Sequence, residues 1–162
     1  MARTTGADPN AAAADRAVHW AFPLPFERLT LRRTPNQYLV LPPDFPSTPA
    51  APHRRSPVFD VGVDRLAAAW DAVIAEQPRV TPTRRDDAAR QVEYVQRSRL
   101  FRFPDVITVQ LVPLGPNRST LAVYSRSRYG RRDFGVNRRR VDAWLARLAE
   151  ELSGTGHHHD TG

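Results

Sequence analysis

Residues 105–127 read as one long β-hairpin, and that reading limits what the rest of the chain can become. "DVITVQLVPL" (105–114) is β-branched and alternating, "GPN" (115–117) is a tight turn, and "RSTLAVYSRS" (118–127) is the returning strand. Val106, Thr108, Gln110 and Val112 take one face. Ile107, Val109 and Leu111 take the other, which the pattern assigns to the core. A lone hairpin is barely stable in water, so this one needs further strands beside it and a layer packed on it.

Both are present in the sequence. "QVEYVQRS" (91–98) reads as a strand, and "RVTPT" (79–83) as an edge strand because of its proline. "RRDDAAR" (84–90) is the polar turn between them, and "PVFDVG" (57–62) is a further strand. Leu66, Trp70, Val73 and Ile74 form one helical stripe over 64–76, with Asp64 as N-cap and Gln77-Pro78 as the stop. Val141, Trp144, Leu145, Leu148 and Leu152 form a second over 136–152, ended by Ser153-Gly154.

Upstream, "HWAFPLPFERLTLRRTPNQYLVLPPDFPSTPAAPHRRSP" (19–57) mixes aromatics with many of the chain's 15 prolines. Proline blocks long helices and central strands, so this is an extended arm laid across the domain surface, with strand segments at 27–33 and 37–41. The predicted fold class is α+β: a curved antiparallel sheet of about four to six strands with two main helices on one face, plus the proline-rich arm. The predicted units are a disordered start (1–17), the arm (18–57), a core domain (58–152) and a flexible tail (153–162).

The formal net charge is +7, and all 24 basic residues are arginine. Only two isoleucines occur in an alanine-rich chain, a pattern expected of GC-rich codons, so mutational bias accounts for part of the arginine excess. Nucleic acid is therefore an unlikely partner on charge alone. With no cysteine there is no disulfide, thiolate nucleophile or cysteine–metal site. No apolar run is long enough to span a bilayer, so the chain is not expected to bind a membrane by itself. The first residues lack the basic flank and apolar core of a signal peptide.

Two segments carry a family resemblance. "YVQRSRLFRFPDVITVQLVP" and "SRSRYGRRDFGVNRRRVDAWLARL" contain Phe103-Pro104-Asp105, then Ser125, Ser127, Arg128 and Gly130, then Asp133, Gly135 and Asn137, with Arg140 following. This pattern, over roughly residues 34–150, resembles the bacterial and plastid family known as domain of unknown function 1499. "TPNQYLVLPP" is similar to that family's upstream Pro-Asn segment, with Asn36 in register. Many members have a cysteine where this chain has Gln37, so no thiol role carries over. The resemblance implies the cell envelope or periplasm, since such members often carry a membrane helix or export signal ahead of the domain. This sequence shows neither, which fits either a removed anchor or a member without one.

The residues themselves narrow the site to a strand–loop–helix junction at 125–140. Ser125 and Ser127 share one strand face, and Arg126 and Arg128 share the other. Gly130 and Gly135 bracket the loop, Asp133 suits a helix cap, and Asn137 falls in the first helical turn. Counting back through the hairpin turn sets Asp105 opposite 126–127, close to Arg126, Ser127 or Arg128. Arginine forks at a helix N-terminus make an anion cradle. The same residues can equally be an architectural motif, Asp133 capping the helix and pairing with Arg128.

Two functions follow. One is a non-catalytic module binding an anionic or amphipathic small ligand, or a partner protein, through Asp105, Ser125, Ser127, Arg128, Asp133, Asn137 and Arg140. The other is an enzyme acting on an acidic substrate through Asp105, Ser127 and Arg128. No histidine falls in the motif, so a serine–histidine nucleophile has no support there. No cofactor is expected. "HHHD" (157–160), in a tail with no supporting shell, is not expected to be a metal site. An enclosed cavity with convergent polar groups favours a ligand, whereas a filled junction with its polar groups all paired favours architecture.

Overall fold

The structure, a computed structural model, describes residues 9–10, 17–45, 49–130 and 134–154. Six strands form one sheet: β1 (Gln37–Leu41), β2 (Arg54–Arg55), β3 (Val80–Asp86), β4 (Gln91–Arg97), β5 (Pro104–Gly115) and β6 (Arg118–Ser127). Their order across the sheet is β2-β1-β6-β5-β4-β3. Two helices pack on it, α1 (Val63–Ala75) and α2 (Val136–Gly154). The class is α+β as the sequence predicts. The sheet is mixed rather than wholly antiparallel, because β2 pairs in parallel with β1.

The hairpin is the centre of the sheet. β5 and β6 pair from Asp105↔Ser127 to Gly115↔Arg118, the register expected from counting back through the turn. Ile107 and Val109 point toward the helices and join Trp70, Val73, Trp144 and Leu148 in the main core. Trp70 and Trp144 meet edge to face, with ring centroids 6.1 Å apart. Each such fully buried large side chain contributes about 1.5–3 kcal/mol.

The opposite face is covered too, and here the arm differs from its expected form. Residues 37–41 do not lie on the surface. They form β1, an interior strand between β2 and β6. Residues 27–33 do not form a strand. Phe26–Arg28 is one 3₁₀ turn, and Phe26 and Leu29 insert into a second apolar cluster with Leu39, Leu41 and Tyr124. That segment lies over a sheet face and meets no edge it could pair with. The side-chain amide of Gln91 clasps it by accepting from Leu24 N–H and donating to Leu24 C=O, both at 2.7 Å. With both faces covered, β6 is buried from Ser119 through Ser127.

Three local expectations are corrected. Residues 57–62 hold only one bridge, Phe59↔Ser119, with N–H···O distances of 2.8 and 3.0 Å. The hydroxyls of Thr120 and Ser119 satisfy Pro57 C=O and Val61 C=O, so side chains replace a ladder. Gly62, not Asp64, is the N-cap of α1, and Asp64 sits in the first turn, where the helix dipole favours an acid. A Cβ at Gly62 would lie 2.6 Å from Pro116 O, so only glycine admits the hairpin turn there. Finally, β3 continues to Asp86, past a register shift between Pro82 and Arg84, so the turn is shorter than expected.

Candidate functional site

The alternation of β6 sends its last side chains to opposite sides of the sheet. Ser125 and Ser127 face the first turns of α2. Arg126 and Arg128 face the arm.

On the helix side the candidate residues close on each other. Asn137, fully buried, accepts from Ser125 Oγ at 2.7 Å and from Arg140 Nη1 at 2.9 Å. Its Nδ2 donates to Ser127 Oγ at 3.1 Å and to Asn36 C=O at 3.3 Å. Arg140, one turn later, donates Nη1 to Ser125 Oγ (3.0 Å), Nη2 to Asp105 Oδ2 (2.6 Å) and Nε to Gln96 Oε1. Asn36 ties in the start of β1: its Nδ2 donates to Gly130 C=O at 2.7 Å, and its C=O accepts from Ser127 N–H at 3.0 Å. Among the described residues no buried side-chain nitrogen or oxygen lacks a partner.

Asp105, Ser125, Ser127, Asn137 and Arg140 are thus brought together as expected. The partner of Asp105 is not: it pairs with Arg140 on α2, not with Arg126 or Arg128, which lie across the sheet. Asp133 lies outside the described residues, as does the 157–160 tail segment. The proposed trio of Asp105, Ser127 and Arg128 does not converge, since Arg128 is exposed and rests 4.4 Å over Trp20 on the far face. Ser125 is held by an amide oxygen and a guanidinium, neither of which can serve as its base. Among the described residues no group of three histidines, cysteines or acids is placed to hold a metal.

The arm side holds a feature that the sequence reading missed. Arg126 is fully buried, and among the described residues no carboxylate lies in hydrogen-bond reach of it. It donates Nε and Nη2 to His19 C=O at 3.0 and 2.7 Å, and Nη1 to Tyr124 C=O and Thr108 Oγ1, both at 2.9 Å. Its guanidinium lies 4.7 Å from the Tyr124 ring and 5.3 Å from Trp20. Burial pushes Arg126 down to about 10 and Tyr124 up to about 12, so both keep their usual charge at neutral pH. The clue was a lone arginine within the buried run "LAVYSRS". Gln96 carries no such clue, because only the packing of α2 brings it in, and Asn36 carries one only through the family's Pro-Asn segment.

Beside the closed network lies a recess of about 590 Å³, lined by Pro35, Gln37, Tyr38, His53, Phe134, Gly135 and Arg138. Tyr38 and His53 stack in its wall, centroids 5.4 Å apart. His53 Nδ1 accepts from Leu39 N–H at 2.9 Å, and burial lowers its pKa, so the ring is neutral at pH 7. Burial, then the hydrogen bond to Asp142, raises the Tyr38 phenol. Phe134 is 82 % exposed at the mouth. Gln37 spends its amide on Arg32, Thr34 and Tyr124.

A family model described as "Protein of unknown function (DUF1499)" matches residues 6–148. No curated protein shows significant similarity to the chain. Among solved structures the chain is similar to the di-domain ARO/CYC BexL from the BE-7585A biosynthetic pathway, at 17% identity and a TM-score of 0.44. That likeness covers 63% of this chain and 46% of the other, so this chain spans less than half its length. It is too slight to bear on fold or function.

Proposed function

The chain belongs to the DUF1499 family, and we propose that it acts as a non-catalytic module binding a small amphipathic anion in the recess over the start of α2. One observation carries this reading. The polar groups of the junction are spent on each other, while the adjoining recess keeps an aromatic wall, an exposed phenyl ring and the guanidinium of Arg138. The wall takes an apolar body. Arg138 and the N-terminal dipole of α2, whose first turn carries no acid, favour a negative head. Arg138 is 73% exposed and pairs with Asp142 only at 3.7 Å, so it can turn to a ligand at small cost.

The test is binding of 1-anilinonaphthalene-8-sulfonate, an aromatic anion, followed by its fluorescence. Phe134→Ser and Arg138→Gln should each weaken binding about threefold to tenfold while leaving the melting temperature unchanged. Binding that survives both substitutions together would remove the recess from consideration. Native mass spectrometry of the purified chain would then identify any ligand carried from the cell.

A further inference from the structure

Among the described residues seven large apolar side chains are exposed, and six of them lie beyond one end of the sheet: Leu100, Phe101, Phe103, Tyr129, Phe134 and Val136. At this end β4 finishes, β5 starts and β6 finishes, as the pairs Arg97↔Pro104 and Asp105↔Ser127 show. The seventh, Leu114, lies at the other end, beside the hairpin turn.

The most exposed stretch is the β4–β5 loop. Leu100, Phe101 and Phe103 are 80, 70 and 56% exposed. The loop is a built turn. Ser98 N–H donates to Phe103 C=O at 3.0 Å, Phe103 N–H to Ser98 Oγ at 2.9 Å, and Arg97 Nη1 to Arg102 C=O at 3.0 Å. The Phe101 and Phe103 rings stack, centroids 5.7 Å apart, and are held out together.

Within 97–103 the charge has one sign, and the neighbouring Asp105 is paired with Arg140. Arg97, Arg99 and Arg102 alternate with the apolar residues, and no acid falls in 97–103. Arg128 and Arg139 stand on the neighbouring segments at this end. Acids gather elsewhere: Asp64, Asp71, Asp86 and Asp87 line a groove of about 500 Å³ between α1 and the β3–β4 turn.

We propose that this end is a peripheral docking face for an anionic phospholipid bilayer. Phenyl rings and Leu100 enter below the headgroups, and the guanidinium groups stay at the phosphate level. This is contact from one side, so the lack of a spanning helix among the described residues does not bear on it. Every apolar residue of the tip has an arginine within two positions, a spacing that a protein partner would have to match with acids of its own and that a bilayer meets with phosphate at every lateral position. A second copy docking end to end would bring arginine against arginine. Single-stranded nucleic acid would use the rings but not Leu100. No residue of the 97–103 loop lines the recess over α2; Phe134 belongs to both surfaces, so the variants below leave it unaltered and the two proposals are tested apart.

The experiment is sedimentation of the full chain with phosphatidylglycerol–phosphatidylcholine vesicles and with phosphatidylcholine vesicles. At low salt the first should bind at least about tenfold more strongly than the second. Leu100→Ser, Phe101→Ser and Phe103→Ser together should reduce binding by at least about tenfold, with melting temperature and dye binding unchanged. Independently, a Phe101→Trp variant should gain blue-shifted emission quenched by brominated lipid. Failure of the unaltered chain to sediment with anionic vesicles, or equal binding by the triple variant, overturns the proposal. So does a triple variant that instead loses oligonucleotide binding or self-association, which would assign the patch to those partners.

Discussion

Ser125 and Arg126 are adjacent on β6 and both fully buried, yet they solve different physical problems. On the helix side, a carboxylate and a guanidinium neutralise each other, and two serines and two asparagines fill the remaining hydrogen-bond positions. On the arm side, a guanidinium is buried against carbonyl oxygens, a hydroxyl and two aromatic faces, with no acid among the described residues bonded to it. The first fastens α2 and β1 to the sheet end. The second fastens the arm, through the carbonyl of His19, to the strand beneath it. Neither side leaves a buried polar side-chain atom unsatisfied among the described residues, so the groups on each side hold elements of the fold to one another.

The largest difference between the two sides should appear on deleting a charge. Arg140→Ala leaves the Asp105 carboxylate, whose side chain is 13% exposed, without its partner. The expected loss is about 3–5 kcal/mol, measured by urea denaturation at neutral pH. Arg126→Met leaves no orphaned charge, only carbonyls and a hydroxyl without a donor. A loss of about 1–3 kcal/mol is expected, together with greater protease sensitivity in the arm around His19. An equal loss for the two variants would erase the distinction.

A smaller effect concerns pH. Burial pushes the Glu93 carboxyl up, but hydrogen bonds from Arg84 and Thr83 and the charge of Arg126 outweigh it and hold it below its ordinary value of 4.5. The folded form therefore holds this proton less readily than the unfolded chain. Its stabilising contribution is complete above that ordinary value and is lost as pH falls through the lowered one. Glu93→Gln should therefore flatten the decline in melting temperature between about pH 5 and about pH 3. An unchanged slope would mean that other carboxylates set the acid limit.

The smallest expected effect is at Arg128. It is exposed, and among the described residues its one aromatic contact is with Trp20, so Arg128→Ala should cost less than about 1 kcal/mol. A loss as large as that of Arg140→Ala would place Arg128 in the buried network after all.

How legible all this was in the sequence depends on the distance over which each feature is decided. The β5–β6 hairpin, its register and the two tryptophan-bearing helices follow from local alternation and turn chemistry, and they could be read directly. So could the split of Ser125 and Ser127 from Arg126 and Arg128, a consequence of strand geometry. The partner of Asp105 could not, because Arg140 reaches it only when α2 packs over the sheet end. The parallel β1–β2 pair and the insertion of Gln37–Leu41 beside β6 are likewise tertiary choices: 37–41 reads as a strand, but the prolines around it pointed to a surface segment. Residues 57–62 looked like a strand by composition. The hydroxyls of β6, not a ladder, take their carbonyls.

The most direct test of the closed network is a double-mutant cycle on Asn137 and Arg140, read by urea denaturation. Asn137→Ala, Arg140→Ala and the double variant share the hydrogen bonds through Asn137 Oδ1 and Ser125 Oγ. The losses should therefore be non-additive by at least about 1 kcal/mol, the double variant being less damaged than the sum of its parts. Losses that add within about 0.5 kcal/mol would show that these residues do not act as one fastening, and the junction would return to being a set of independent groups open to a ligand.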